Sequence, residues 1–249
     1  MKWRYIPPFS ARGDIQMAVD AWLFEQSRLG QHPPTFRFYT WHPATLSLGH
    51  FQKTWPDHWN HLTWQGYELD LVRRPSGGRG VLHQGDLTYS LTMPIEGYSR
   101  REAYVFLCQF LIQGWQKLGV NLNFGKAGRG YHKESNCFRL ATGADLVTET
   151  GIKLIGSAQL WRGNHLLQHG SMSINPAEDL KRLVFPEESA PETAFPKAVS
   201  QIDLADLIDS LTQAIQTCLN IEFEISPFSN EEWRNILEYV PAKPVLENA

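Results

Sequence analysis

Cysteine is scarce in this chain: Cys108, Cys137 and Cys218 are the three among 249 residues. An odd number at long spacings makes a poor disulfide framework and fits a reducing compartment. Long apolar runs are missing too. Nothing approaches the roughly 20 residues needed to span a bilayer. The start, Met1-Lys2-Trp3-Arg4-Tyr5, lacks the apolar stretch of a signal peptide. The expected location is therefore cytoplasmic, with no membrane partner. There is no basic excess either. A formal charge of −3 gives no reason to expect a nucleic-acid partner, although a local arginine cluster can still hold a small acidic ligand. No His/Cys spacing matches a zinc site, and His58 with His61 lacks companions, so no metal is expected. Internal repeats and low-complexity tracts are absent.

What is present suits a folded domain. Hydrophobic residues make up 42% of the chain and charged residues 20%, enough for a sizeable core. Asp14 is expected to cap a first helix carrying Ile15, Ala18, Val19, Trp22, Leu23 and Leu29, with Gly30 as its stop. Phe36 and Phe38 alternate with polar neighbours, and Thr45 to Leu48, Leu69 to Arg73 and Asp86 to Met93 read as further strands. Ser99 and Glu102 form a capping-box pattern before a helix stripe that ends at Gly119. Strands in a meander are expected from Asp145 to Ile174, turning at Gly151 and at Gly163-Asn164. Three prolines between Pro186 and Pro196 mark a loop. Two helices follow, one bearing Leu204 to Leu219 and one starting at the Ser229-x-x-Glu232 box. The order helix, strands, helix, strands, helices predicts a mixed α+β sandwich.

Three places can carry chemistry. The first is Arg73 to Ser90, where Ser76, Gly77, Gly78, Arg79 and Gly80 form a turn between apolar strands. Its backbone N–H groups can make an anion-binding concavity, and Arg74 and Arg79 can add fixed positive charge. A tight β-turn with solvated arginines fits the same residues. The second is Gly151 to Gly170. Lys153 precedes a strand whose centre is Gly156, Ser157 and Ala158, and small residues there suit close approach of a ligand. An exposed strand-end lysine is the plainer reading. The third is Cys137, in the polar segment Glu134 to Phe138 and placed like an accessible thiol. Cys108 and Cys218 sit on apolar helix stripes as core thiols. A nucleophilic Cys137 would need a nearby cation or base. His83 and His169 stand beside glycine turns, where a hydrogen-bonding scaffold role is the simplest reading.

Taken together, these patches resemble a known family. Arg73-Arg74-x-Ser76-Gly77-Gly78-Arg79-x-Val81-x-His83 is similar to the signature loop of the lipoate and biotin protein ligase superfamily. Lys153-x-x-Gly156-Ser157-Ala158-Gln159 resembles its lysine strand, and His169-Gly170-Ser171 the turn that follows. The match runs from roughly residue 12 to residue 184. Arg79 stands where the ligases usually carry a third glycine, and Gln84 stands where they often carry aspartate, with Asp86 two positions on. The Gly-Gly-Arg form, with Leu87-Thr88-Tyr89-Ser90 and the pair Cys137-Phe138, is similar to the Cys-dependent octanoyltransferases.

That resemblance implies an α+β catalytic domain of mixed and antiparallel sheets flanked by helices over residues 1–190, with a C-terminal helical extension over 191–249. It implies that Cys137 accepts octanoyl from acyl carrier protein as a thioester and passes it to a lysine of a lipoyl domain, such as the glycine-cleavage H protein. Lys153 would favour the thiolate and steady the carbonyl oxygen. Arg74, Ser76, Gly77, Gly78, Arg79, His83, Gly156, Ser157, Ala158, His169 and Gly170 would line the substrate site. No cofactor is required on this route. ATP and Mg belong to the alternatives' side, where an ATP-dependent lipoate ligase would hold an acyl-adenylate. A lipoyl-domain amidotransferase using the same thioester, and a non-catalytic carrier-binding module, are the other readings.

Overall fold

Pro7 and Pro8 lie inside the first strand, β1 (Lys2–Ala11), which is why periodicity alone does not reveal it. Proline cannot donate to a ladder, so it is confined to strand edges and irregularities. Both prolines fall in the register shift between Ile6 and Phe9, where β1 pairs in parallel with its neighbour. The computed structural model describes residues 1–125, 144–186 and 195–244.

After β1 come α1 (Gly13–Arg28), β2 (Thr35–Trp41) and β3 (Thr45–Leu48). A single 3-10 turn (Asp57–His61) leads into β4 (Thr63–Trp64), β5 (Tyr67–Glu68) and β6 (Asp70–Arg73). Next are β7 (Val81–His83), β8 (Asp86–Pro94), α2 (Arg100–Lys117) and β9 (Leu122–Phe124). Then follow β10 (Leu146–Thr148), β11 (Lys153–Arg162), β12 (His165–Ser173) and α3 (Glu178–Val184). The chain continues through α4 (Lys197–Ser200), α5 (Leu204–Leu219), β13 (Glu222–Ile225) and α6 (Asn230–Leu237).

An eight-stranded mixed sheet runs in the order β13-β1-β2-β8-β12-β11-β10-β9, beside a three-stranded sheet β6-β3-β7 and the β4-β5 hairpin. The α+β expectation therefore holds. One face of the large sheet packs on α2 and α5 through Phe36, Tyr89, Leu107, Phe110 and Leu211. Helix α1 covers the other face, and α6 closes over it through Trp22, Leu23 and Ile236. The small sheet has its own core of Leu46, Leu48, Trp59, Leu71, Leu180 and Val184.

Both capping boxes are formed: Ser99 with Glu102 at α2, and Ser229 with Glu232 at α6. Asp14 differs from its expected role. Arg12 is the N-cap of α1, and Asp14 lies inside the first turn, 2.8 Å from the Arg12 guanidinium. There a carboxylate still complements the helix dipole. The segment beyond Pro196 also contains more than helices, since β13 pairs in parallel with Lys2 to Tyr5 of β1. The polar neighbours of Phe36 and Phe38 do not face water. Arg37 is wholly buried, because helices cover both faces of β2.

Candidate active site

Sheet register brings two of the sequence patches side by side. Gly156, Ser157 and Ala158 of β11 sit opposite Ser171, Gly170 and His169 of β12. On the far side of β12, Gly170 faces Tyr89 and Ser171 faces Thr88 of β8. Gly170 has to be glycine for space: a Cβ there would lie 2.4 Å from Ser157 Oγ and 2.7 Å from Tyr89 Cε1. Tyr89 uses that closeness, donating to Ser157 Oγ at 2.8 Å and accepting from Gln168 at 2.8 Å.

The glycine loop after β6 reaches the same place from the small sheet. Between the two sheets lies a cavity of about 280 Å³. Gly77, Gly78, His83, Gly156, Ser157, Ala158, His169 and Gly170 line it, as do Arg74, Ser47, Trp41, Met17 and Asp145. That size lies just below the usual range of small-molecule sites, roughly 300–1,000 Å³. Ser76 lies just behind the wall, buried and in hydrogen-bond contact with His169 Nε2. Arg79 is not among the lining residues.

Arg74 is bound into the loop. Its guanidinium donates to the carbonyls of Ser47 at 2.8 Å, Gly77 at 2.9 Å and Arg79 at 2.7 Å. The arginine thus fixes the shape of the turn while keeping its charge at the cavity wall. Neither a solvated arginine nor a bare β-turn describes this arrangement.

Two buried aspartates orient the two histidines. His83 has Nδ1 at 2.8 Å from Asp86 Oδ2 and Nε2 at 2.8 Å from Ser47 Oγ, and its ring stacks on Trp41 at 4.0 Å. A carboxylate on Nδ1 makes that nitrogen the donor, so Nε2 accepts from Ser47. Burial lowers the His83 pKa against the pull of Asp86. Asp86 Oδ2 also accepts from Ser171 at 2.6 Å and Thr88 at 3.2 Å. His169 has Nδ1 at 2.9 Å from Asp20, which is paired with Arg37 at 2.6 Å and accepts from Tyr39 at 3.0 Å. Burial raises the Asp20 carboxyl, but Arg37 and His169 outweigh it and hold it at about 2.

Lys153 stands beside this cavity, and it is buried. Its Nζ lies 2.8 Å from Asp145 Oδ1. Asp145 lines the cavity, and a Cβ on Gly156 would meet Lys153 Cε at 3.2 Å. The exposed strand-end reading of Lys153 is thereby corrected: only 8% of the residue is accessible. Cys137 lies outside the described residues. Cys108 is buried on α2 beneath Gln168, and desolvation pushes its thiol up to about 12. Burial also raises Cys218.

Sequence reading missed Asp20, Arg37, Ser47, Trp41 and Asp145. An arginine between Phe36 and Phe38 in a strand was a usable signal for a buried ion pair. Asp145 carried none by itself.

A family model, the lipoyl protein ligase A/B catalytic domain, matches residues 13–223. Octanoyltransferase LipM of Brevibacillus brevis is 34% identical over 255 aligned positions, covering 93% of this chain and 92% of that relative. Octanoyltransferase LipM of Bacillus subtilis is 33% identical, covering 92% and 91%. Among solved structures, lipoate-protein ligase A bound with ATP superposes with a TM-score of 0.78 at 18% identity, over 98% of both chains. The bi-partite lipoate protein ligase of Thermoplasma acidophilum gives 0.73 at 18%, covering 100% of this chain and 98% of that one. At such identities the two structures establish the likeness of fold.

Proposed function

The chain belongs to the lipoyl protein ligase A/B catalytic-domain family, and we propose that it carries octanoyl from acyl carrier protein, through a thioester on Cys137, to a lysine of a lipoyl-carrier protein. Octanoyl transfer as the activity rests on the LipM octanoyltransferases, which are similar to this chain over most of both lengths. The lipoyl-domain acceptor follows from the family. The carrier-protein donor, the cysteine intermediate and a cytosolic setting are the further steps of this reading. No helix among the described residues is long and apolar enough to cross a membrane.

The observation that carries the mechanism is the Lys153–Asp145 pair, buried against a cavity that the glycine loop and both small-residue strands enclose. In a site with little water, a held ammonium stabilises negative charge far better than it would in solvent. In the first half-reaction the Cys137 thiolate attacks the carbonyl carbon of the octanoyl thioester. A new C–S bond forms, the bond to the carrier's sulfur breaks, and that sulfur takes up the proton Cys137 gave away. In the second, the acceptor lysine's neutral amine attacks. A C–N bond forms, the bond to Cys137 breaks, and the amine's proton passes to the departing sulfur. The first step exchanges one thioester for another, and the second makes an amide and runs downhill. Neither half-reaction consumes a nucleotide.

His83 and His169 act here as scaffold, because both ring nitrogens of each are already engaged. The test is an intact mass after incubation with octanoyl carrier protein, without ATP. A hydroxylamine-sensitive octanoyl adduct that disappears in Cys137→Ala is expected. Activity that survives Cys137→Ala but demands ATP and free lipoate would overturn this reading in favour of the ligase route.

A further inference from the structure

Lys153 is aimed by an irregularity in its own strand. Leu146 pairs with Ile155 and Val147 with Lys153, so β11 carries one more residue there than β10. An extra residue of this kind re-aims the side chains beside it. Leu154 and Ile155 both enter the core shared with α2 and α5. Lys153 comes to the side of Gly156, where an added Cβ would stand 3.2 Å from its Cε and 3.5 Å from its Nζ. The ammonium there meets Asp145 Oδ1 at 2.8 Å.

Asp145 lies outside the strand, in a bend just before β10 and in the cavity wall. Hydrogen bonds fix that bend from two directions. Gly125 N–H donates to Asp145 O at 2.7 Å. From α2, the Tyr104 hydroxyl donates to Ala144 O and lies 3.3 Å from Ser157 O. The Ala144 carbonyl belongs to the peptide on one side of the Asp145 Cα, and the Asp145 carbonyl to the peptide on the other. Each peptide is planar, so fixing both planes fixes the direction in which the carboxylate leaves the backbone. A buried hydroxyl needs an acceptor; here the acceptor is the peptide that carries Asp145. The Tyr104 ring packs against the α2–α5 core. Burial pushes its phenol well above the ordinary tyrosine value, which keeps it a neutral donor.

We infer that Tyr104 is a positioning residue for acyl transfer, its hydroxyl fixing the Asp145 bend and, through it, the ammonium of Lys153. This rests on the acyl-transfer reading above. Tyr104 touches no reacting atom, and its effect runs through the carboxylate. A carboxylate that drifts takes the paired ammonium with it, away from the place where the carbonyl oxygen gathers negative charge.

The experiment measures single-turnover octanoyl-enzyme formation against the concentration of octanoyl carrier protein. It compares wild type, Tyr104→Phe, the double variant Lys153→Met with Asp145→Leu, and the triple variant that combines them. Phenylalanine keeps the ring in the core and deletes only the hydroxyl. Tyr104→Phe is expected to lower the maximal rate about tenfold, with the half-saturating donor concentration within about twofold of wild type. In the double-variant background no ion pair is left to aim, so the same substitution should change the rate by less than about twofold. An equal fold-loss in both backgrounds would make Tyr104 a purely structural residue and overturn the inference. So would a raised half-saturating concentration at an unchanged maximal rate, or a Tyr104→Phe variant that matches wild type. If the double variant does not fold, the split between maximal rate and half-saturation in Tyr104→Phe decides alone. If the wild type forms no octanoyl adduct, the acyl-transfer reading itself has failed and the inference falls with it.

Discussion

His169 and Asp20 lie 149 positions apart in sequence and meet at 2.9 Å between the β12 strand and the α1 helix. The imidazole's other nitrogen contacts Ser76, so a carboxylate under the sheet is linked to the glycine loop above it. Arg37 completes the pair from β2, and Asp20 and Arg37 are both wholly buried. Removing one partner of such a pair leaves an uncompensated charge. Asp20→Asn is expected to lower unfolding free energy by about 3–5 kcal/mol in urea titrations. A loss below about 1 kcal/mol would show that the pair does not organise the fold.

The same carboxylate gives a pH dependence. Asp20 titrates at about 2 in the fold, below its ordinary 3.8, so the unfolded chain takes up the proton first on acidification. Its contribution of roughly 2–3 kcal/mol is complete above about pH 5 and is lost as pH falls toward 2. Stability measured by denaturant titration across that window should fall more steeply in wild type than in Asp20→Asn. Parallel curves would rule this out.

His83 gives a spectroscopic prediction. Burial lowers its pKa, and its hydrogen bonds fix the tautomer with the proton on Nδ1. Ring nitrogen NMR should find a neutral Nδ1–H imidazole persisting below about pH 6.5, the ordinary histidine value. Unfolded chains accept that proton earlier, so this residue removes stability as pH drops below about 6.5. Titration at or above the ordinary value would contradict the assignment.

The legible parts of this molecule were those set by local chemistry. Glycines at turns, capping boxes and the Gly-Ser-Ala and His-Gly-Ser patches announce themselves within a few residues, and the resemblance they carry reached the right family. Illegible parts depend on distant neighbours. β1 hides behind Pro7 and Pro8, and β13 is a short strand whose Glu222 and Glu224 face outward. Asp20 gives no local sign of its role, because Arg37 and His169 arrive from elsewhere in the chain. Lys153 looked exposed because Asp145 alone gives no sign of pairing with it.

Gly49, packed behind the cavity wall, and Gly77, which lines the cavity, should respond differently to the same added methyl group. At Gly49 a Cβ meets the Gly78 carbonyl, backbone against backbone, and something must shift. Gly49→Ala is expected to cost about 1–3 kcal/mol and to lower kcat/KM by on the order of a hundredfold by displacing the loop. At Gly77 nothing lies within 4 Å, so Gly77→Ala should stay within about 0.5 kcal/mol of wild type. Thermal melts with steady-state rates compare the two. Equal effects would mean that the contact between the turns is not rigid.

The Lys153–Asp145 pair can separate stability from chemistry. Lys153→Ala deprives a buried carboxylate of its cation and is expected to cost about 3–5 kcal/mol, with octanoyl transfer reduced roughly 10²–10³-fold. Loss of rate in that variant alone could reflect a weakened fold. The double variant Lys153→Met with Asp145→Leu replaces both charges by apolar groups, which in buried sites is often neutral for stability. It should recover the wild-type melting temperature within a few degrees while transfer stays low. A double variant that regains both would assign the pair to the scaffold, and the carbonyl oxygen would need another source of positive charge.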